Sequence, residues 1–132
     1  MTNSKDKGKR GELEWCKVCK EHGYDVRRTV QYCGNTGEAA DCVGLPGIHQ
    51  EVKRVERLDI HKAMEQAEND AGKEGKDNIP IVAHRKNGTG WLVTMRAEDW
   101  FKLYDCAMWC KWCEDFELND VPVWYPGKDM EE

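Results

Sequence analysis

The chain has 132 residues, a usual length for one domain with one hydrophobic core, and its formal net charge is -5. No segment approaches the roughly 20 apolar residues of a membrane-spanning helix, and residues 1–12 are polar where a signal peptide is apolar. These features argue against a membrane protein or an exported protein, and we expect the chain to stay in the cytoplasm.

The charge is distributed unevenly along the chain. Residues 1–57 carry eleven Lys and Arg against nine acids, whereas residues 58–132 carry nine against sixteen. The acidic total argues against a protein that coats nucleic acid nonspecifically. The first half can still present a basic surface locally.

The predicted secondary structure mixes helices and strands, with residues 1–8 as a mobile arm and residues 119–132 as an irregular acidic tail. Asp59 suits the N-cap of the second helix, and Gly72 suits its end. The order αβββαββα predicts an α/β sandwich with a central mixed sheet flanked by helices, in one domain over residues 1–132. The predicted elements are a helix at 9–21, strands at 24–30, 40–45 and 48–55, a helix at 60–72, strands at 79–84 and 91–95, and a helix at 97–116.

Seven cysteines are an odd number, and most of them lie inside helical segments, so we expect reduced thiols instead of a disulfide framework. Cys16 with Cys19, and Cys110 with Cys113, have the spacing of zinc ligands. Zinc knuckles usually place such pairs on turns with Gly or Pro nearby, whereas these pairs lie in helical sequence. Buried thiols that pack between helices are therefore favoured over a zinc site.

One acid falls on an otherwise apolar face of the first helix. Glu12, Trp15, Cys16 and Cys19 share that face at the spacing of successive helical turns. A carboxylate in such a position needs an explanation, because burying a charge is costly unless it has a partner. Glu12 either contributes to a functional site or complements the helix macrodipole near the N-terminus.

Three further polar residues fall on two neighbouring predicted strands. Asp41 lies on the first strand, a turn containing Pro46 follows, and the second strand carries Glu51 and Lys53. Because side chains alternate along a strand, Glu51 and Lys53 point to the same side of the sheet. Asp41 and Glu51 can converge if the two strands pair as a hairpin. His49 alternates onto the same face and can approach this site, although a packing or surface role is commoner for such a histidine.

This combination suits phosphodiester hydrolysis. The reaction needs a metal ion that polarises the phosphate and lowers the pKa of a bound water. Magnesium prefers oxygen ligands, usually one or two carboxylates with waters and phosphate, and the Val52 carbonyl is a further candidate ligand. Lys53 can orient or deprotonate the attacking water, or stabilise the charge that grows on the phosphate.

The pattern of Asp41, a turn and the triplet 51–53 resembles the PD-(D/E)XK nuclease signature, with Ala40 where that signature has proline. Glu12 matches the extra N-terminal acid found in part of that superfamily. The order of elements over residues 8–100 is similar to archaeal-type Holliday junction resolvases and related phage-encoded endonucleases. The resemblance implies a restriction-endonuclease-like fold and, if the chain is phage-encoded, a location in the host-cell cytoplasm.

The resemblance further implies a metal-dependent DNA endonuclease that resolves Holliday (four-way) junctions. The alternatives are a nuclease for flaps, nicked or plain duplex, and a non-catalytic DNA-binding or assembly module with the same fold. The implied cofactor is Mg²⁺ or Mn²⁺, held by Glu12, Asp41 and Glu51, with Lys53 as the catalytic lysine and Gln66 as a polar residue near the site. The basic residues that could hold DNA phosphates are Lys7, Lys9, Arg10, Arg27, Arg28, Arg54 and Arg57.

The last predicted helix carries more aromatic residues than one helix face needs for a small core. Core packing is one explanation, and a homodimer interface is the other. Cutting both strands of a junction symmetrically calls for two active sites related by a twofold axis, so the resemblance favours a homodimer. These aromatic residues are Trp100, Phe101, Tyr104, Trp109 and Trp112.

Overall fold

The computed structural model describes residues 4–29 and 40–115. The predicted acidic tail lies outside these residues, as do residues 31–39 between the first two predicted strands. Contacts divide the chain into two compact units, one ending at Met95 and the next beginning at Arg96. No helix among the described residues is long and apolar enough to cross a membrane.

The order of elements is the predicted one, and the sheet is mixed. The five strands lie in the order β1-β2-β3-β4-β5, with β3 and β4 parallel and the other pairs antiparallel. The elements are α1 (Ser4–Glu21), β1 (Arg27–Arg28), β2 (Cys42–Val43), β3 (Ile48–Arg54), α2 (Ile60–Lys73), β4 (Ile79–Arg85), β5 (Leu92–Thr94) and α3 (Ala97–Asp115).

Helices α1 and α2 contribute to two separate hydrophobic clusters. Trp15 of α1 packs with Val52 of β3 and Ala83 of β4 in the first cluster. Met64 of α2 packs with Val82 of β4 in the second. Because Val82 and Ala83 are consecutive on one strand, their side chains point to opposite faces, so the sheet lies between α1 and α2.

Two helix boundaries differ from the prediction. Helix α1 begins at Ser4, so residues 4–8, predicted as an arm, are helical. These residues carry no apolar periodicity, so the pattern could not reveal a helix, although lysine favours one. Helix α2 begins as predicted, because the Asp59 side chain accepts a hydrogen bond from the Lys62 backbone N–H at 3.2 Å. The helix continues to Lys73, one residue beyond the predicted end.

Gly44 allows β2 to turn into β3 close to the start of β1. Its φ is +126°, a region that side chains disfavour, and a Cβ atom there would lie 2.5 Å from the Asp25 carbonyl oxygen. Glycine is therefore needed at this position for the hairpin that carries Asp41 and Glu51.

Helix α3 belongs to the second unit and exposes large apolar side chains. Trp100, Phe101 and Tyr104 are each more than 40% exposed. The ring of Trp100 stacks on Tyr104 with centroids 5.2 Å apart and meets Phe101 edge-on at 4.9 Å. The predicted homodimer interface on this helix stays a prediction, and the side chain of Trp112 lies outside the described residues.

Candidate active site

Asp41 and Glu51 come together because β2 and β3 pair as an antiparallel hairpin. Cys42 lies opposite Gln50 in the register, and the Asp41 backbone N–H donates to the Gln50 carbonyl at 2.9 Å. The Val52 backbone N–H donates to Asp41 Oδ2, also at 2.9 Å. The Asp41 carboxylate is thereby held against the backbone of β3 beside Glu51, in the predicted hairpin.

The carboxyl group of Glu51 lies close enough to Asp41 to affect its pKa. Burial and the neighbouring charge of Glu51 raise the pKa of Asp41 from 3.8 to about 7, against the opposing effects of the Val52 N–H and of Lys53. Asp41 therefore keeps its proton up to near-neutral pH.

Glu12 reaches this site from α1. Its Oε2 atom accepts a hydrogen bond from Arg28 Nε at 2.5 Å. Burial raises the pKa of Glu12 and Arg28 opposes this, while the charges of Asp41 and Lys53 also act on it. Glu12 is the ninth residue of α1, and a macrodipole effect is confined to the first turn, so that alternative is wrong. Asp41 therefore interacts electrostatically with both of the other predicted carboxylates, Glu12 and Glu51.

Lys53 lies on the same side of β3 as Glu51 and contacts α2. Its Nζ atom donates to Gln66 Oε1 at 3.1 Å. This contact brings together two residues that the sequence placed near one site, and the charge of the amine acts on Asp41 and Glu12.

A histidine and a fourth carboxylate complete the group. The His49 side chain is fully buried, with Nε2 at 2.9 Å from Glu51 Oε1 and Nδ1 at 2.5 Å from Glu74 Oε1. Burial lowers the pKa of His49, but the hydrogen bonds to the two carboxylates outweigh burial and raise it. Strand alternation pointed to His49, whereas no local signal pointed to Glu74, because only the packing of α2 brings it near.

The predicted DNA-binding residues divide by their surroundings. Two of them are engaged in ion pairs: Arg28 with Glu12, and Arg54 with Glu14 through Arg54 Nε at 3.1 Å from Glu14 Oε2. Lys7 is half-buried. The exposed members are Lys9, Arg10, Arg27 and Arg57.

The five cysteines whose state the structure describes are all free. Cys16, Cys19 and Cys42 are buried, and the Sγ atoms of Cys16 and Cys42 lie 3.6 Å apart. Cys106 and Cys110 are exposed. Reduced thiols packed in the core agree with the preferred interpretation of Cys16 and Cys19, whereas a buried position for Cys110 is wrong, because this cysteine lies exposed on α3.

No protein-family model and no curated protein sequence matches the chain. Among solved structures, it is similar to Hjc, a Holliday junction resolvase from the archaeal hyperthermophile Archaeoglobus fulgidus, with a TM-score of 0.50 and 20% sequence identity. The match covers 67% of this chain and 76% of Hjc. The chain has the restriction-endonuclease-like fold. This likeness concerns the fold alone, and it confirms the predicted fold class.

Asp41 and Glu51, on the β2–β3 hairpin, are the type of oxygen ligands that a hard divalent cation prefers. Among residues 4–29 and 40–115, no group of three or more His, Cys, Asp or Glu side chains is arranged to hold a metal ion. Magnesium usually takes one or two carboxylates and completes its shell with waters and phosphate. The carboxyl groups of Asp41 and Glu51 meet this requirement, because the β2–β3 hairpin places them close enough to interact.

Proposed function

We propose that the protein is a metal-dependent DNA endonuclease that hydrolyses phosphodiester bonds, with four-way junctions as its substrate. The observation that carries the proposal is the convergence of the Asp41 and Glu51 carboxyl groups, with Lys53 on the same side of β3. The restriction-endonuclease-like fold supports it, and the similar structure, Hjc, is a Holliday junction resolvase.

Asp41 and Glu51 would hold Mg²⁺ or Mn²⁺, with the Val52 carbonyl as a further ligand, and Glu12 would act on the site through its charge interaction with Asp41. When bound, the metal would polarise the phosphate and lower the pKa of a coordinated water. The Val52 N–H keeps Asp41 in place by donating to Oδ2. Arg28 holds Glu12 near the pair.

Lys53 would act on the reacting phosphate directly. Its ammonium group can stabilise the negative charge that develops on the phosphate oxygens, and it can orient the attacking water. Gln66 limits the positions of the amine by accepting its hydrogen bond at 3.1 Å. We assign Gln66 to positioning, because its contact is with Lys53.

DNA binding would use the exposed basic residues of the first unit. Lys9 and Arg10 on α1, Arg27 on β1 and Arg57 after β3 are exposed and can contact phosphates without breaking an ion pair described above. Arg28 would contribute mainly through Glu12. We further propose a homodimer, because symmetric cleavage of a junction needs two sites.

A substrate panel tests the function. Labelled four-way junction, flap, nicked duplex, plain duplex and single-stranded DNA are incubated with Mg²⁺ or with EDTA. We expect paired, metal-dependent nicks in the junction alone. Equal cutting of plain duplex would favour the broader nuclease, and binding without cutting under Mg²⁺ or Mn²⁺ would favour a non-catalytic module.

Two isosteric variants test the site itself. Asp41→Asn and Glu51→Gln should abolish cleavage and leave DNA binding largely intact, because each removes a metal ligand and keeps the side-chain shape. Glu65→Gln, an exposed position on α2, is the matched control and should cut normally. Near-normal cutting by either site variant would show that the assigned metal site is wrong.

Sedimentation velocity tests the oligomer. We expect a dimer at micromolar concentration. A protein that sediments only as a monomer there would count against paired cleavage of a junction.

A further inference from the structure

One imidazole and two carboxylates form a buried, hydrogen-bonded chain of side chains that includes Glu51 of the β2–β3 hairpin. The side chains of His49, Glu51 and Glu74 are 0%, 1% and 8% exposed. The nitrogens of one imidazole bond two carboxylates, through Nε2 to Glu51 and through Nδ1 to Glu74. Polar groups this deeply buried are costly unless they are hydrogen-bonded, and here each has a partner.

The far end of this chain is itself fixed. Glu74 is the C-cap residue of α2, and its backbone N–H is bonded to carbonyls of Ala71 and Gly72. Its second carboxylate oxygen accepts a hydrogen bond from Asn78 Nδ2 at 3.1 Å. The Glu74 carboxylate is therefore held at both oxygens and offers the imidazole a stationary partner.

At its other end, this chain of side chains bonds Glu51, which belongs to the proposed metal site. His49 holds the Oε1 atom of Glu51 at 2.9 Å, while the same carboxyl group acts on the neighbouring Asp41. With one oxygen held by a ring that is packed on all sides, the Glu51 carboxylate loses rotational freedom. A carboxylate that is oriented in advance does not have to be ordered when a cation binds.

We propose that His49 and Glu74 are positioning residues that orient the Glu51 carboxylate for divalent-metal binding. This role rests on the proposed function. A purely structural network would stabilise the contact between α2 and β3 without affecting metal affinity. The two roles differ in what happens to cation binding when the contact is removed and the fold is retained.

Calorimetric titration of the DNA-free protein with Mn²⁺ measures the effect at His49. Removal of such an outer partner weakens metal binding by about 10- to 100-fold, so we expect that loss for His49→Ala. His49→Gln can place an amide N–H near the position of Nε2 and should recover most of the affinity. His61→Ala, at an exposed position on α2, is the control and should bind Mn²⁺ as the wild type does.

Two variants of Glu74 test the residue that bonds the other nitrogen of the His49 ring. Glu74→Gln keeps an oxygen that accepts from Nδ1 and should bind Mn²⁺ nearly as well as the wild type. Glu74→Ala removes that acceptor, and we expect a smaller loss than for His49→Ala. Glu65→Ala is the control on the same helix, and thermal unfolding of every variant reports whether it is folded.

Each result bears on the proposal. A folded His49→Ala protein with wild-type Mn²⁺ affinity and cleavage would overturn the positioning role, as would a folded His49→Gln protein as weak as His49→Ala. If His49→Ala does not fold, equal affinities of Glu74→Ala and the wild type would overturn it instead. A wild-type protein that neither binds Mn²⁺ nor cuts DNA would refute the proposed function, an outcome distinct from an active wild type whose affinity is insensitive to His49.

Discussion

Asp41→Asn should stabilise the metal-free protein, even though it removes a residue that we assign to the site. Asn can still accept the Val52 N–H with its side-chain oxygen, and it removes a charge next to Glu51. Because the pKa of Asp41 is raised in the folded state, its contribution to stability is fully present below pH 3.8 and is lost as pH rises through about 7. The Asp41→Asn variant has no carboxyl group to ionise at this position, so it does not lose this stability as the pH rises.

The size of the effect follows from the pKa shift. A change from 3.8 to about 7 corresponds to about 4 kcal/mol of folding free energy above pH 7. Burial of the Asn amide offsets part of this, so we expect Asp41→Asn to gain about 2 to 4 kcal/mol at pH 8 and about 1 kcal/mol or less near pH 4.5.

Urea denaturation in EDTA at the two pH values measures the difference. Asp77→Asn, at an exposed position, is the control and should change stability by less than about 0.5 kcal/mol. Saturating Mg²⁺ should stabilise the wild type by about 3 kcal/mol at a hundredfold excess over its dissociation constant, and should not stabilise Asp41→Asn. An Asp41→Asn protein that is less stable at pH 8, or whose gain does not depend on pH, would refute the reasoning.

Three further changes test other contacts. Lys53→Ala should lower the cleavage rate at least about a hundredfold, while calorimetry should still detect Mn²⁺ binding, because the amine acts on the phosphate; a loss of both would make Lys53 part of the metal site. Gly44→Ala should lower the free energy of unfolding, measured in urea, by more than about 3 kcal/mol, because the added Cβ would lie 2.5 Å from a backbone oxygen. Gly47→Ala is the control: its Cβ meets open space, so only its positive φ should cost stability, about 1 to 2 kcal/mol. Equal losses in the two variants would contradict the packing at Gly44. Trp15→Phe should cost about 1 to 3 kcal/mol, because the indole N–H donates to the buried Gln50 Oε1 at 2.8 Å, and an unchanged stability would show that this bond contributes nothing.

Local patterns predicted the parts of the fold that depend on near neighbours. The alternation along β3 correctly placed Glu51 and Lys53 on one side, because that alternation is a property of any extended backbone. The Asp59 cap predicted the start of α2 for a similarly local reason. The start of α1 was not predictable, because its first residues carry no core-facing pattern.

Contacts between distant residues could not be read from such patterns. Arg28 lies 16 residues from Glu12 in the chain, and Glu74 lies 25 residues from His49. In both cases the sequence showed charged residues with many possible partners. Only the packing of α1 and α2 on the sheet selected one partner for each.

The sequence by itself determined which chemical groups could form a site: acids on two strands with a turn between them, and a lysine two residues beyond the second acid. Tertiary structure decided the state of those groups. By packing Asp41 and Glu51 against each other and burying them, it raised the pKa of Asp41 to about 7. It also placed His49 and Glu74 behind Glu51, because a buried carboxylate needs hydrogen-bond partners that the folded chain alone can bring to it.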